Sequence, residues 1–173
     1  MSTCGIIFIK CNRKVKLAQY CQFDMYYSGH GLKLASMLNH MYTDKLYDYF
    51  KEKVRSLKFV TEEYLQNTYD NAMIPTQFMR DTASNIIPLI IKGITEVFDS
   101  SNHINGFWLE YAYVIDLDSN KLHIYTKHIN TGDLLYINYS TASQLKYHTS
   151  FKINSKLFNK FTKFAEEFEK SNE

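Results

Sequence analysis

Cysteine is scarce in this chain and badly placed for chemistry. Cys4, Cys11 and Cys21 form an odd set with no C-x-x-C pair and no cysteine–histidine spacing of a zinc site, so no metal is assigned. If Asn12-Arg13 closes a hairpin, paired positions sum to 25 and Cys4 falls opposite Cys21; two reduced, buried thiols are nonetheless the expected state. Long apolar runs are missing too. None approaches the roughly 20 residues that cross a bilayer, and no secretory segment opens the chain. The expectation is a cytoplasmic protein with no membrane partner. Proline is nearly absent, with Pro75 and Pro88 alone, and there is no repeat, low-complexity tract or linker. At 173 residues the chain therefore reads as a single domain, 1–173, with a real core. Catalytic signatures are lacking as well. Serine, histidine and aspartate all occur, but no G-x-S-x-G motif does, and no glycine-rich loop carries the P-loop lysine. No catalytic residue and no cofactor is assigned, and the expectation leans to a non-enzymatic protein.

What the sequence has in excess is aromatic side chains. Fourteen tyrosines and twelve phenylalanines, with the lone tryptophan, bring the aromatic share to 16%. Tyrosine suits surfaces that are half apolar and half hydrogen-bonding, such as ligand pockets and the subunit contacts of a homo-oligomer. Net charge is only +2, but it is uneven along the chain. Residues 1–39 carry five basic side chains against Asp24 alone, residues 40–118 carry seven against twelve acidic ones, and residues 121–163 carry seven lysines against Asp133. If the two basic ends share one sheet, they form a positive face suited to an anionic ligand.

The pattern of apolar residues predicts the elements. Gly5 to Lys10 and Val15 to Cys21 flank a polar connector and predict a hairpin. Ile6 to Ile9 is apolar without alternation, as in a strand covered on both faces. Ser28-Gly29-His30-Gly31 leads into a helical stripe of Leu32, Leu34, Ala35, Met37 and Leu38, with Ser28 as the expected N-cap. A second helical face is expected from Leu46, Tyr49, Phe50, Val54 and Leu57, and a short helix opens at Thr61. A helix resuming at Asp81 or Thr82 meets a conflict at Pro88, with a strand over 86–91 as the alternative. Further strands are expected over 107–117, 122–127, 134–139 and 147–153, then an amphipathic helix carrying Leu157, Phe158, Phe161, Phe164, Ala165 and Phe168. The fold class is α+β: an antiparallel sheet built from the N-terminal hairpin and a C-terminal meander, packed with helices.

Residues 18–31 are the densest candidate site. Tyr20, Gln22, Asp24, Tyr26, Tyr27, Ser28, Gly29, His30 and Gly31 bring together aromatics, amides, a carboxylate and a flexible turn, a composition suited to a pocket. The turn offers backbone N–H groups to phosphate or carboxylate, and Asp24 with His30 could read a base or ribose edge or exchange protons. Trp108 and Glu110 share one face of the later strand and are grouped with the same pocket. His123, His128 and His148 match no zinc spacing.

Ser2-Thr3-x-Gly5-Ile6-Ile7 and Gln22-Phe23-Asp24-x-Tyr26-x-Ser28-Gly29-x-Gly31 are similar to a little-characterised family of phages, prophages and bacteria. That family opens with a Thr-Arg-Gly hairpin and carries a Gln-(Trp/Phe)-Asp-x-Tyr-Pro-Ser-Gly-x-Gly signature. The strand Glu110-Tyr111-Ala112-Tyr113-Val114-Ile115-Asp116-Leu117-Asp118 resembles its later Glu-Trp-Ala-Tyr-Val element. Cys4 departs from the family's arginine and Tyr27 from its proline. The resemblance implies a phage-type accessory protein, at work in the host cytoplasm, that counters defence by binding a signal molecule or a defence protein. The leading expectation is sequestration of a small anionic, nucleotide-like signal by residues 20–31 with Glu110. The alternatives are an inhibitor of a host defence protein and, should removal of Met1 expose Ser2, a hydrolase of the N-terminal-nucleophile type.

Overall fold

The computed structural model describes residues 3–70, 73–101, 109–127 and 145–171. Trp108, His128, Ser2 and the strand expected over 134–139 lie outside the described residues. Strands β1 (Gly5–Cys11) and β2 (Lys14–Cys21) form the N-terminal hairpin. Asn12 and Arg13, at φ 55° and 60°, turn it with the left-handed backbone of a two-residue hairpin loop. The register then slips by one at a bulge between Ile9 and Lys10, so Cys21 faces Gly5 rather than Cys4. None of the three cysteines is in a disulfide. The Cys21 thiol donates to the Phe23 carbonyl at 3.0 Å and that of Cys4 to the Gln22 carbonyl at 3.4 Å.

Four α-helices and a short parallel strand pair fill most of the connection to the next part of the sheet. Helix α1 (Leu32–Thr43) buries Leu34, Ala35, Leu38 and Met41. It ends at a tight corner in which the Leu46 N–H donates to the Met41 carbonyl at 2.8 Å, and α2 (Tyr47–Ser56) follows. That corner rotates α2 away from the face expected of it. Tyr47, Phe50 and Val54 are buried, while Leu46 and Tyr49 lie 43% and 46% exposed. Strands β3 (Lys58–Val60) and β4 (Glu96–Phe98) pair in parallel. Between them α3 (Glu62–Thr68) is capped by Thr61, whose hydroxyl oxygen accepts from the Tyr64 N–H at 3.1 Å. Helix α4 (Ile86–Lys92) resolves the proline conflict. Pro88 is its third residue, where the missing N–H would have had no partner within the helix.

Strands β5 (Tyr111–Asp116), β6 (Lys121–Thr126) and β7 (Lys146–Lys152) complete a five-stranded sheet in the order β2-β1-β5-β6-β7. Helix α5 (Leu157–Lys170) closes the fold. The fold is α+β, and both basic ends of the chain do share one sheet. Three of its pairings are antiparallel; the central one, β1 with β5, is parallel. β5 starts at the same end of the sheet where β2 stops, but docks beside β1 and therefore runs in the direction of β1.

Ile6, Ile7, Phe8 and Ile9 are all buried, so β1 is covered on both faces as its unbroken apolar run predicts. Ile7, Ile9, Leu17, Tyr113, Ile115 and Ile124 pack with the helices, and Ile6, Phe8, Ala18, Tyr20, Ala112 and Val114 form a second buried cluster on the opposite face. Among the described residues, no helix is long and apolar enough to cross a membrane.

Candidate functional site

Residues 20–31 fold into a knot between β2 and α1. Asp24 takes φ 57°, and its carbonyl accepts the His30 N–H at 2.7 Å. A Cβ on Gly29 would lie 2.2 Å from that same carbonyl oxygen, and one on Gly31 would lie 2.5 Å from the Tyr113 hydroxyl. The two glycines are needed for the chain to pass itself. Helix α1 starts at Leu32 with Gly31 before it, so Ser28 is not its cap; the Ser28 hydroxyl donates instead to the Glu169 carboxylate on α5.

Around this knot the expected site residues point in different directions. Tyr27 is only 1% exposed. Its ring packs edge-on against Tyr111 and Phe168, and its hydroxyl is hydrogen-bonded to His148 Nδ1 at 2.8 Å. Burial pushes the Tyr27 phenol well above its ordinary range and the Tyr111 phenol up to about 12, so both stay protonated. His30 is buried beside Ser84, Nδ1 to Oγ 2.7 Å. Its pKa is lowered by burial and by Lys33, against a smaller upward pull from Asp24. The partner of His30 is thus a serine with no exposed surface rather than the Asp24 carboxylate. Tyr20 sits in the second cluster, across the sheet from Tyr27. Gln22 is half-buried, Asp24 and Tyr26 are exposed, and Glu110 lies 3.7 Å from the Lys127 ammonium. The knot packs Tyr27, Gly29, His30 and Gly31 in the interior and leaves Ser28 exposed.

A cleft of about 790 Å³ opens elsewhere, between the α1–α2 corner and the ends of β6 and β7. The helices supply Tyr42, Lys45, Tyr47 and Lys51, and the sheet supplies Asn120 and Lys152. Lys51 spans the two walls: its ammonium donates to Asn120 Oδ1 at 2.8 Å and stands 5.2 Å from the centre of the Tyr47 ring. The Tyr42 and Tyr47 rings are 6.0 Å apart. Asp48 is the one acidic residue among the described lining, against three lysines. Among the described residues no carboxylate lies within 4.0 Å of the Lys45, Lys51 or Lys152 ammonium.

Two features of the cleft break ordinary folding preferences. Tyr47 is 93% buried, at 7% exposure, and its hydroxyl has no hydrogen-bond partner among the described residues, a state that costs a protein about 1–3 kcal/mol. Burial, then the Asp116 and Asp48 carboxylates, raise that phenol far above its usual range, so it stays protonated. Lys45 takes φ 60° at the end of α1, in the left-handed position that helices ordinarily give to glycine or asparagine. It presents a cation where the fold alone would favour no side chain.

Sequence reasoning missed this cleft. Its residues come from 42–51, 120 and 152–155, and each stretch is unremarkable by itself; the one signal was the excess of lysine in the C-terminal third. No family model, curated protein or solved structure matches this chain.

Proposed function

We propose that this protein binds a small anionic, nucleotide-like ligand in the cleft and acts by holding it rather than converting it. The observation that carries the reading is the convergence of Lys45, Lys51 and Lys152, none with a carboxylate partner among the described residues, on a cleft also lined by Tyr42 and Tyr47. Lysine ammoniums suit phosphate as compact point charges, and the hydroxyl of Ser155 adds a neutral donor. Tyr42, 45% exposed at the edge of the cleft, offers a ring face to a base. The volume lies within the range of small-molecule sites, roughly 300–1,000 Å³. Among the described lining there is no histidine, no thiol and no carboxylate pair, so the groups present suit retention better than acid–base or nucleophilic chemistry.

The resemblance noted in the sequence extends the reading to a phage-type accessory protein that withdraws a nucleotide signal from host defence. An exposed stripe of Tyr42, Leu46 and Tyr49 beside the cleft favours a second reading, an inhibitor that docks on a host protein. Native mass spectrometry of protein purified from a bacterial host separates the two. The expected result is a ligand of a few hundred daltons that denaturation releases and that a Lys51→Ala, Lys152→Ala variant no longer carries. A ligand retained by that variant overturns the cleft as its site. A ligand-free protein that captures one host polypeptide through Tyr42 and Tyr49 favours the inhibitor.

A further inference from the structure

A lysine ammonium ends a flexible four-carbon stem and carries three N–H donors and no acceptor, so binding an anion with it means first ordering it. Lys51 on α2 is ordered already. It follows Tyr47 by one helical turn, its ammonium stands 5.2 Å from the centre of that ring, and it donates across the cleft to Asn120 Oδ1 at 2.8 Å. Because an ammonium only donates, the contact also fixes the Asn120 amide with its oxygen towards Lys51.

The acceptor is neutral, and that matters at an anion site. Lys127 and Lys163 each stand 3.7 Å from a carboxylate, of Glu110 and Glu167, and a carboxylate orders an ammonium while offsetting its charge. Lys51 has no carboxylate within 4.0 Å among the described residues, although Asp48 lies one turn away on the same helix. An amide oxygen orders the side chain and leaves its full charge for the cleft.

Asn120 is itself held firmly. It takes φ 54° in the β5–β6 turn, a left-handed conformation that asparagine tolerates better than most residues with a side chain. Asp116 closes that turn, its carboxylate accepting the N–H groups of Asp118 and Ser119 at 2.9 and 3.1 Å. The Asn120 carbonyl accepts the Ile153 N–H at 2.8 Å, just past the end of β7, where Lys152 and Ile153 line the cleft. One residue thus carries two tethers, its side chain to the helix wall and its backbone to the sheet wall.

Resting on the cleft reading above, we infer that Asn120 is the positioning residue of the anion site and holds the Lys51 ammonium in place before the ligand arrives. The ligand is then spared the ordering of a long side chain, and it meets a cation that is oriented but not neutralised. Asn120 acts through Lys51, so its contribution vanishes when Lys51 is removed.

A double-mutant cycle tests this, with inorganic phosphate titrated calorimetrically into the native chain and into Asn120→Gly, Lys51→Ala and the combined variant. Glycine suits the left-handed backbone, so Asn120→Gly is expected to keep a Tm close to that of the native chain. It weakens phosphate binding about fivefold, the scale of one long side chain left unordered. In the Lys51→Ala background the same change costs less than about twofold. In the ligand-free native chain the Lys51 ammonium gives a sharp nitrogen–proton NMR signal, which Asn120→Gly broadens or abolishes. Phosphate bound by Asn120→Gly as tightly as by the native chain, or more tightly, overturns the inference while the cleft reading stands if Lys51→Ala still weakens phosphate. An equal loss in both backgrounds, the mark of a structural role, overturns it too. Failure of phosphate to bind the native chain at all overturns the cleft reading, and the inference with it.

Discussion

Single residues carry a conflict between stability and use. Lys45 sits in the left-handed backbone region at the end of α1, a conformation that costs a side-chain-bearing residue about 1 kcal/mol relative to glycine. Lys45→Gly is therefore expected to raise Tm in a thermal melt while weakening phosphate binding at the cleft; a variant that gains neither stability nor a binding defect contradicts the trade. Tyr47 makes the same point from the interior. Among the described residues its buried hydroxyl has no partner, so Tyr47→Phe is expected to leave the protein as stable or more stable by about 1 kcal/mol in urea titration. A large loss of stability in that variant would mean that the hydroxyl is satisfied in the free protein. Both residues depart from local rules at the cleft proposed as the binding site.

Elements are joined by contacts that sequence order hides. The β1–β2 turn is held from a hundred residues away: both Asp118 carboxylate oxygens accept N–H groups of the turn, from Asn12 and Arg13, each at 2.8 Å. Arginine is a poor choice for that left-handed position, and the Asp118 clamp supplies what glycine would have supplied by flexibility. Asp118→Ala is expected to lower stability by about 1–2 kcal/mol, read as a shift in the urea midpoint without a change in slope. The docking of α5 is sensitive to acid. His148 packs between Tyr27, Phe164 and Phe168, and burial lowers its pKa; His30 and His123 are lowered too. A histidine kept neutral in the folded state takes up protons more readily when unfolded. Stability is then fully present above the unfolded value of about 6.5 and falls as pH drops below it. Urea titrations at pH 7.5 and 5.5 check the sign: equal midpoints would show that these rings are not held neutral. The hairpin, α1 and α5 were legible because their apolar spacing is unambiguous. The bulge at Ile9/Lys10 was not, since no glycine marks it, and neither was the rotation of α2, set by a corner with lysine where glycine is the usual signal.

At the scale of the whole molecule, charge segregation in the sequence becomes charge placement in space. The basic N- and C-terminal segments meet in one sheet, with Lys10, Asp116, Lys121 and Lys152 in one row across four strands. Anion binding at the nearby cleft is expected to weaken steeply as salt rises from about 50 to 500 mM, because screening shortens the reach of the partly exposed lysines; calorimetry across that range checks it, and a salt-independent affinity would point to a mainly apolar contact. That a positive region exists could be read from composition. Where it lies could not, because the cleft needs a helix corner, a hairpin turn and the end of the last strand to meet. The same limit explains the segment 20–31, whose tyrosines and glycines look like a pocket lining when read along the chain. Packed, Tyr27 and Gly31 are core and Asp24 is the turn that lets the chain double back. The parallel pairing of β1 with β5 has a consequence for how the molecule is made. β1 leaves the ribosome about a hundred residues before its neighbour on one side is synthesised, a wait of roughly 5–20 s at ordinary translation rates. Until then an apolar strand meant for enclosure has one open edge, and the nascent chain depends on the hairpin turn, clamped only once Asp118 arrives, to keep that edge from finding a stranger.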